Sequence, residues 1–524
     1  MVFDDDDTNL GDSGTGSTKG LVRIQVPEYS RDDVALAEDK LTVMIELRAA
    51  PSAVVREGLD LVAVLDVSGS MADPKNLGSM KQAMRFVIMK LNPVDRLCVV
   101  TFNNRGTRQC VLRSVTGAGQ KELLAIVDRL DAHGGSNIES GLVKAKEVLA
   151  GRRRTEARTA NVILISDGGQ TANDAIDVDL EDAGVYTFGV GKHSADELLN
   201  AIATKSPGGT FSTVREGSDL TTPFAQVLGG LLTVVAQDVE LTLTPESGSL
   251  QRMEVRADTD YTMVPDKRPS GLEPVTVKLG NLFSGEARKV IVDMELPASK
   301  SREWYHAILA RAQHKYTAQA VPQGLQIKEI IKIKRTPNPS PVSSSITTRW
   351  VEAELARRRH ADAIREAMAM ADAGDMDGAR YRLVDAQNTV EDELMMDGCE
   401  KMLDSMRAEL AQLVHLMQTP ELYKQQGRAY ALAAGTSHGR QRFADRGDRT
   451  DPVTVFSTPR MDTYREQAKK FVADPSKPPP SAADDVKDEI LANPMAAFSS
   501  ELALHLQTAI QALQAIQKIV TTTN

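Results

Sequence analysis

Hydrophobic positions along this chain follow three different periods. Val22, Ile24 and Val26, then Leu41, Val43, Ile45 and Leu47, alternate with polar residues, as expected of strands with one buried face. The period of two returns in Val239, Leu241 and Leu243, in Val275 and Val277, in Val290 and Val292, and loosely in Ile327, Ile331 and Ile333. Turn formers such as Pro245-Glu246-Ser247-Gly248 and Pro269-Ser270-Gly271 separate these runs. The pattern predicts one antiparallel β-sandwich made from residues 21–56 plus 237–335. Domain termini often lie close together, so another domain can be inserted between the two parts.

The intervening residues 59–235 read differently. Leu61-Val62-Ala63-Val64-Leu65 and Val162-Ile163-Leu164-Ile165 are unbroken apolar runs, the mark of strands buried on both faces. The predicted order is strand 61–66, helix 77–91, strands 95–102 and 108–115, helices 119–131 and 137–150, and strand 161–167. Strand 185–190, helix 195–204, strand 210–214 and helix 218–235 complete it. Alternating strands and helices predict an α/β fold with a doubly wound, mostly parallel sheet.

Beyond the proline-rich break Arg335-Thr336-Pro337-Asn338-Pro339-Ser340-Pro341, the chain turns helical over 346–435. Ala371-Asp372-Ala373-Gly374-Asp375 punctuates it as in helical hairpins, but no 34-residue repeat is visible. Residues 436–490 are polar and proline-bearing and are read mostly as linker. Over 491–524, Leu502, Leu506, Ile510, Leu513, Ile516 and Val520 share a helical face, a docking or self-association helix that packs on its own chain or on a second copy. Residues 1–20, rich in Asp, Gly, Ser and Thr, are read as a disordered tail.

Candidate chemistry gathers where the buried strands end. Asp66-Val67-Ser68-Gly69-Ser70 follows the first run, Gly134-Gly135-Ser136-Asn137-Ile138 precedes a helix, and Ser166-Asp167-Gly168 follows the second run. Ligands in open α/β sheets sit beyond the carboxyl ends of the strands. Taken alone, the first cluster reads equally well as turn and cap residues. Together, the three segments resemble the von Willebrand factor A domain and its metal-ion-dependent adhesion site. The resemblance implies Ser68 and Ser70 as direct metal ligands, Ser136 in place of the usual Thr, and Asp66 and Asp167 acting largely through bound waters. Ser136 keeps the oxygen of Thr but lacks the methyl that stiffens χ1. Hydroxyls and carboxylates are hard donors, which suit Mg²⁺, or Mn²⁺ or Ca²⁺. Such a site captures an acidic side chain of a protein partner, and nothing in it requires a bond to be broken.

The wider layout, including Gly427-Arg428-Ala429-Tyr430-Ala431 and Ser437-His438, is similar to plant A-domain proteins with a helical C-terminal region. Several of those carry a RING module and act as ubiquitin ligases. A RING needs clustered Cys and His for two zinc ions, and Cys98, Cys110 and Cys399 cannot supply them. A non-motor subunit of a ubiquitin-ligase or ATP-driven complex is the alternative, any motor being a separate chain. Gly14-Thr15-Gly16-Ser17-Thr18-Lys19 lacks the spacing of a phosphate loop. A hydrolase triad of Ser68, His133 and Asp167 is weakened because Ser68 is not in a G-x-S-x-G elbow.

The net charge of −10 over 524 residues gives no reason to expect nucleic-acid binding. Few cysteines without a C-x-x-C pair, an acidic start and no long apolar run predict a cytoplasmic protein without a transmembrane segment. Arg446-Gly447-Asp448 is read as a chance tripeptide.

Overall fold

The computed structural model describes residues 21–492 except 26, 51–57, 168–173, 192–194, 216, 259–260, 266–271, 319–326, 341–345, 394–399 and 448–454. The tail 1–20 and nearly all of the helix expected over 491–524 lie outside the described residues.

The chain opens on β1 (Val22–Ile24), β2 (Glu28–Tyr29), β3 (Asp33–Ala35) and β4 (Asp39–Ala49). A middle group follows: β5 (Gly58–Asp66), β6 (Arg96–Phe102), β7 (Gly106–Arg108), β8 (Arg113–Ser114), β9 (Arg158–Ser166), β10 (Gly184–Val190) and β11 (Phe211–Val214). The last group is β12 (Val234–Pro245), β13 (Arg252–Arg256), β14 (Thr262–Pro265), β15 (Val275–Phe283), β16 (Ala287–Leu296), β17 (Tyr305–Thr317) and β18 (Ile327–Thr336).

The first and last groups interleave into two sheets, ordered β1-β4-β16-β13, with β2 on β4, and β14-β15-β12-β17-β18-β3. Leu41, Val43, Ile45 and Leu47 of β4 share one core with Leu241, Leu243, Val277, Ile331 and Ile333. The period of two is thus the inward face of a sandwich. One pairing departs from the antiparallel expectation: β3 runs parallel to β18. Arg335 explains it, because its guanidinium donates to the carbonyls of Ala35, Leu36, Ala37 and Pro297 and clamps the β3 end onto β18.

The middle group forms a third sheet, β11-β10-β9-β5-β6-β7, with β8 also on β6. β5 pairs in parallel with both β6 and β9 and is buried along its whole length. Helices α1 (Pro74–Lys90), α2 (Gly117–Asp128), α3 (Ile138–Ala150), α4 (Asp196–Lys205) and α5 (Thr221–Leu231) flank it, giving the α/β layering that the apolar runs predict. Asp73 accepts from the Lys75 amide ahead of Pro74, and Asn137 accepts from the Ser140 amide, so both helices that start beside the strand ends are capped. The single strand expected over 108–115 is broken: Val100 faces Arg108, whereas Arg96 faces Ser114, so the chain bulges by two residues between β7 and β8. At the amino end of the sheet, buried Asp60 accepts hydrogen bonds from Arg96 at 2.7 and 2.6 Å, Arg158 at 2.8 Å and Arg152 at 3.3 Å.

The helical region continues with α6 (Ile346–Asp372), α7 (Met376–Glu393), α8 (Glu400–Leu416), α9 (Pro420–Leu422), a π-helical turn (Tyr423–Gly427) and α10 (Arg428–Arg440). Val351 of α6 covers Met44 and Ile291 on the outer face of the first sheet. No helix among the described residues is long and apolar enough to cross a membrane.

Residues 436–490 are expected to be linker, but their described parts, 436–447 and 455–490, are structured. They hold the end of α10, then α11 (Pro459–Ala473) and α12 (Ala482–Ala492). Thr458 caps α11 and Pro459 opens it, so the residues that read as breakers are helix starts. Helix α11 lies against α5, where a side chain at Gly229 would meet the Met461 backbone at 3.0 Å. Buried Lys90 donates to Gln467 and to the Pro480 carbonyl, each at 2.7 Å, pairs with Asp485 and lies 3.9 Å from the Tyr464 ring centre. Charged residues that look solvated in sequence are here buried against partners.

Candidate metal centre

Asp66 ends β5, and the chain then turns through Val67 into Ser68, Gly69 and Ser70. The Asp66 carboxylate is fully buried and turns back on its own loop, where Oδ1 accepts from the Ser68 amide at 2.8 Å. Its other oxygen accepts from Ser136 Oγ at 3.1 Å and Ser166 Oγ at 2.7 Å. Ser68 Oγ and Ser70 Oγ are 2.9 Å apart, and Ser70 donates to Asp167 Oδ1 at 2.7 Å. Asp66, Ser68, Ser70, Ser136 and Asp167 are therefore one connected patch drawn from three loops. Ser70 is exposed and Ser136 half-buried, whereas Ser68 is buried. The patch is a rim with one side turned to solvent.

Contacts between loops hold the second loop in place. Gly69 donates its amide to the Gly134 carbonyl at 2.9 Å, Asn104 Oδ1 accepts from the Gly135 amide at 2.8 Å, and the Asn103 side chain donates to the His133 carbonyl at 3.1 Å. Gly134 has a φ of +84°, a left-handed conformation that favours glycine. The turn from β6 thus carries the loop that presents Ser136.

Charge in the rim is unbalanced. Among the described residues, both carboxylates pair with hydroxyls and amides rather than with Lys or Arg. Burial raises the Asp66 carboxyl, opposed by hydrogen bonds from Ser68, Ser166 and Ser136. Burial also pushes Asp167 up to about 6, with the Asp66 charge adding to the rise and Ser70 and Asn76 opposing it. Ser166 and Asn76 escaped the sequence reading. Ser166 was legible in principle, since it stands directly before Asp167 at a strand end; Asn76 sits in the first turn of α1 without a pattern to single it out.

A donor set of two carboxylates and three hydroxyls fits a hard divalent cation and offers neither thiolate nor imidazole. A triad is not assembled: Ser68 Oγ meets Ser70 Oγ, and His133 is exposed and joins the loop by its backbone.

Residues 60–226 match the family model for the von Willebrand factor type A domain. The chain contains a von Willebrand factor type A domain. A second model, VWA / Hh protein intein-like, matches residues 400–470 of the helical region. The chain is 29% identical over 306 residues to the E3 ubiquitin-protein ligase WAV3 of Arabidopsis thaliana, covering 55% of this chain and 40% of that protein. It is 26% identical over 414 residues to the probable E3 ubiquitin-protein ligase WAVH2 of the same plant, covering 74% of this chain and 54% of that one. The chain thus spans about half or less of these relatives' length. Among solved structures, a von Willebrand factor type A protein from Catenulispora acidiphila is similar at a TM-score of 0.57 and 19% identity, over 75% of this chain and 91% of that one. The ArnB paralog VWA2 from Sulfolobus acidocaldarius follows at 0.50 and 14%, over 80% and 98%. At these identities the likeness is one of fold, and its coverage extends well beyond the A domain.

Among the described residues, one other cluster has metal-ligand composition. His360 of α6 and His438 of α10 place Nε2 at 2.7 and 2.9 Å from the same oxygen of Glu409 on α8, all three buried. Its surroundings fit a structural role instead. Arg446 binds the other Glu409 oxygen, and Arg357 bridges Asp258, Glu354 and the His438 carbonyl. Each acid already has a guanidinium, so a divalent ion would add uncompensated positive charge. His360 Nδ1 also lacks the acceptor that a metal-bound imidazole uses. Burial drives His438 down to about 4, while Arg446 and His438 overcome burial and hold Glu409 well below the usual carboxylate range. Arg446 of the Arg-Gly-Asp tripeptide is thereby buried in this network.

Proposed function

We propose that the A domain binds Mg²⁺, or Mn²⁺ or Ca²⁺, through Asp66, Ser68, Ser70, Ser136 and Asp167, and uses it to capture an acidic side chain of a protein partner. The supporting observation is the meeting of two carboxylates and three hydroxyls at the carboxyl edge of a parallel sheet, without a cationic side chain among their described partners. Ser68, Ser70 and Ser136 would supply neutral oxygens, while Asp66 and Asp167 would act from behind, through waters. A cation held mainly by neutral oxygens keeps charge for an incoming carboxylate. Ser166 and Asn76 would orient the two acids.

On this reading the chain is a non-enzymatic interaction protein that works in the cytoplasm and needs neither nucleic acid nor membrane. The ligase-named relatives favour one further reading, in which these residues form the partner-capturing portion of a ubiquitin-ligase assembly. Titration with Mg²⁺ and Mn²⁺ tests the site directly. Saturable uptake by the wild type, weakened about 10–100-fold in Asp66→Ala with an unchanged circular dichroism spectrum, is the expected result. Equal uptake by both proteins, or none by either, sinks the reading. Capture of partners with and without EDTA then separates a metal-bridged partner from a constitutive ligase subunit.

A further inference from the structure

The two described cysteines lie side by side on the hairpin that carries the rim's second loop. In the β6–β7 pair Val100 faces Arg108, and Gln109 donates its amide to the Val99 carbonyl at 2.9 Å. Leu97 in turn faces Arg113, so Cys98 lies across from the bulge that begins at Cys110. Residues facing each other on neighbouring antiparallel strands have Cα atoms about 4.5–5.5 Å apart, within the range a disulfide spans. Cys98 Sγ is directed at the Cys110 carbonyl, 3.2 Å away, and the Val99 amide donates to Cys110 Sγ at 3.4 Å.

We propose that Cys98 and Cys110 form a reversible redox clasp, a dithiol that a peroxide oxidises to a disulfide within the folded A domain. The two sulfurs have different surroundings. Cys98 is fully buried, whereas Cys110 is 8% exposed, at the bulge between β7 and β8. The hydrogen bond from Cys98, the Val99 amide and the charges of Arg113 and Arg108 together lower the Cys110 thiol against its burial. The contact with Cys110, burial and the Cys110 charge all raise Cys98. Cys110 is thus the thiolate that meets oxidant, and Cys98 resolves the product.

In the first step Cys110 sulfur attacks a peroxide oxygen, the O–O bond breaks, and a sulfenic acid and hydroxide form. In the second, Cys98 sulfur attacks the Cys110 sulfur, the S–O bond breaks, and the departing hydroxide leaves as water with the Cys98 proton. Two thiols lose two electrons and one hydrogen peroxide becomes two waters. A dithiol reductant reverses the change, in keeping with the transient disulfides found in reducing compartments. Asn103 and Asn104, at the far end of the same hairpin, grip residues 133–135. Closing the clasp therefore fixes the base of the arm that presents Ser136. This last consequence rests on the metal reading, whereas the clasp itself does not.

The full chain carrying Cys399→Ser is treated with hydrogen peroxide and digested without reduction. The expected product is a peptide pair joined through Cys98 and Cys110, lighter by two hydrogens and released by dithiothreitol. The folded protein should also lose two titratable thiols and gain a few degrees in its unfolding midpoint. In Cys98→Ser, dimedone should label Cys110 as the stranded sulfenic acid; in Cys110→Ser, Cys98 should stay unlabelled. Two free thiols after treatment, or Cys110 driven to sulfinic acid without a cross-link, overturns the proposal. The primary measurement uses native Cys98 and Cys110, so it does not depend on how the variants fold. A clasp that forms in a protein with no Mg²⁺ uptake would leave this inference standing and remove the metal reading alone.

Discussion

Two polar clusters each join residues far apart in sequence, and they balance charge in opposite ways. Around Glu409, every buried acid meets a guanidinium: Arg446 on Glu409, and Arg357 on Asp258 and Glu354. At the rim, Asp66 and Asp167 meet serines and Asn76. The first cluster is complete in itself and ties three helices to the sandwich. The second leaves two desolvated carboxylates beside each other, an arrangement that a cation would relieve. Residue composition alone would rank the clusters the other way from the proposed metal reading, because His, His and Glu look more like metal ligands than serines do.

The contrast breaks most directly at Arg357. Arg357→Met should destabilise the protein by about 3–5 kcal/mol in urea unfolding, because it leaves buried Glu354 without its guanidinium and Asp258 with only its longer pair to Arg358. A loss under about 1 kcal/mol would mean that the network is not the tie described here. Acid is the next lever. Folded His438 titrates at about 4, below the ordinary value near 6.5, so the unfolded chain binds more protons between those values and stability falls as pH drops through that window. Glu409, held low, adds a loss in the same direction below about 4.5. Together they should remove on the order of 3 kcal/mol, read as an unfolding midpoint that declines from pH 7 to 4 and flattens in His438→Gln.

The rim should respond with little change in stability. Asp167→Asn, measured without divalent metal, is expected to stay within about 1 kcal/mol of wild type, since it removes a charge that the fold does not use. A loss of the size expected for Arg357→Met would erase the distinction between the clusters. The smallest effect sharpens it: Ser136→Thr restores a stiff χ1 and should tighten Mg²⁺ binding about two- to threefold by calorimetry.

Much of this was legible in sequence for a simple reason. Strands buried on both faces are unbroken apolar runs, and Asp66, Ser68, Ser70 and Asp167 stand at or just beyond their ends, so the fold and most of the patch share one signal. The α/β layering followed from Leu61–Leu65 and Val162–Ile165. The structured parts of 436–490 were hidden because Arg442, Arg446 and Lys90 are buried against distant partners, Glu286, Glu409 and Asp485. Local polarity reads such residues as solvated. The parallel β3–β18 pairing was equally invisible, since it depends on Arg335 reaching carbonyls some 300 positions earlier.

Strand β5 carries a buried acid near its start and another at its end, and the two stand in opposite electrical surroundings. Asp60 is outnumbered by Arg96, Arg152 and Arg158, whereas Asp66, about 20 Å along at the usual rise per residue, faces no such excess. The sheet is therefore polarised lengthwise. On the proposed reading, that polarity would steer a small cation toward the Asp66 end, an effect that strengthens as ionic strength falls.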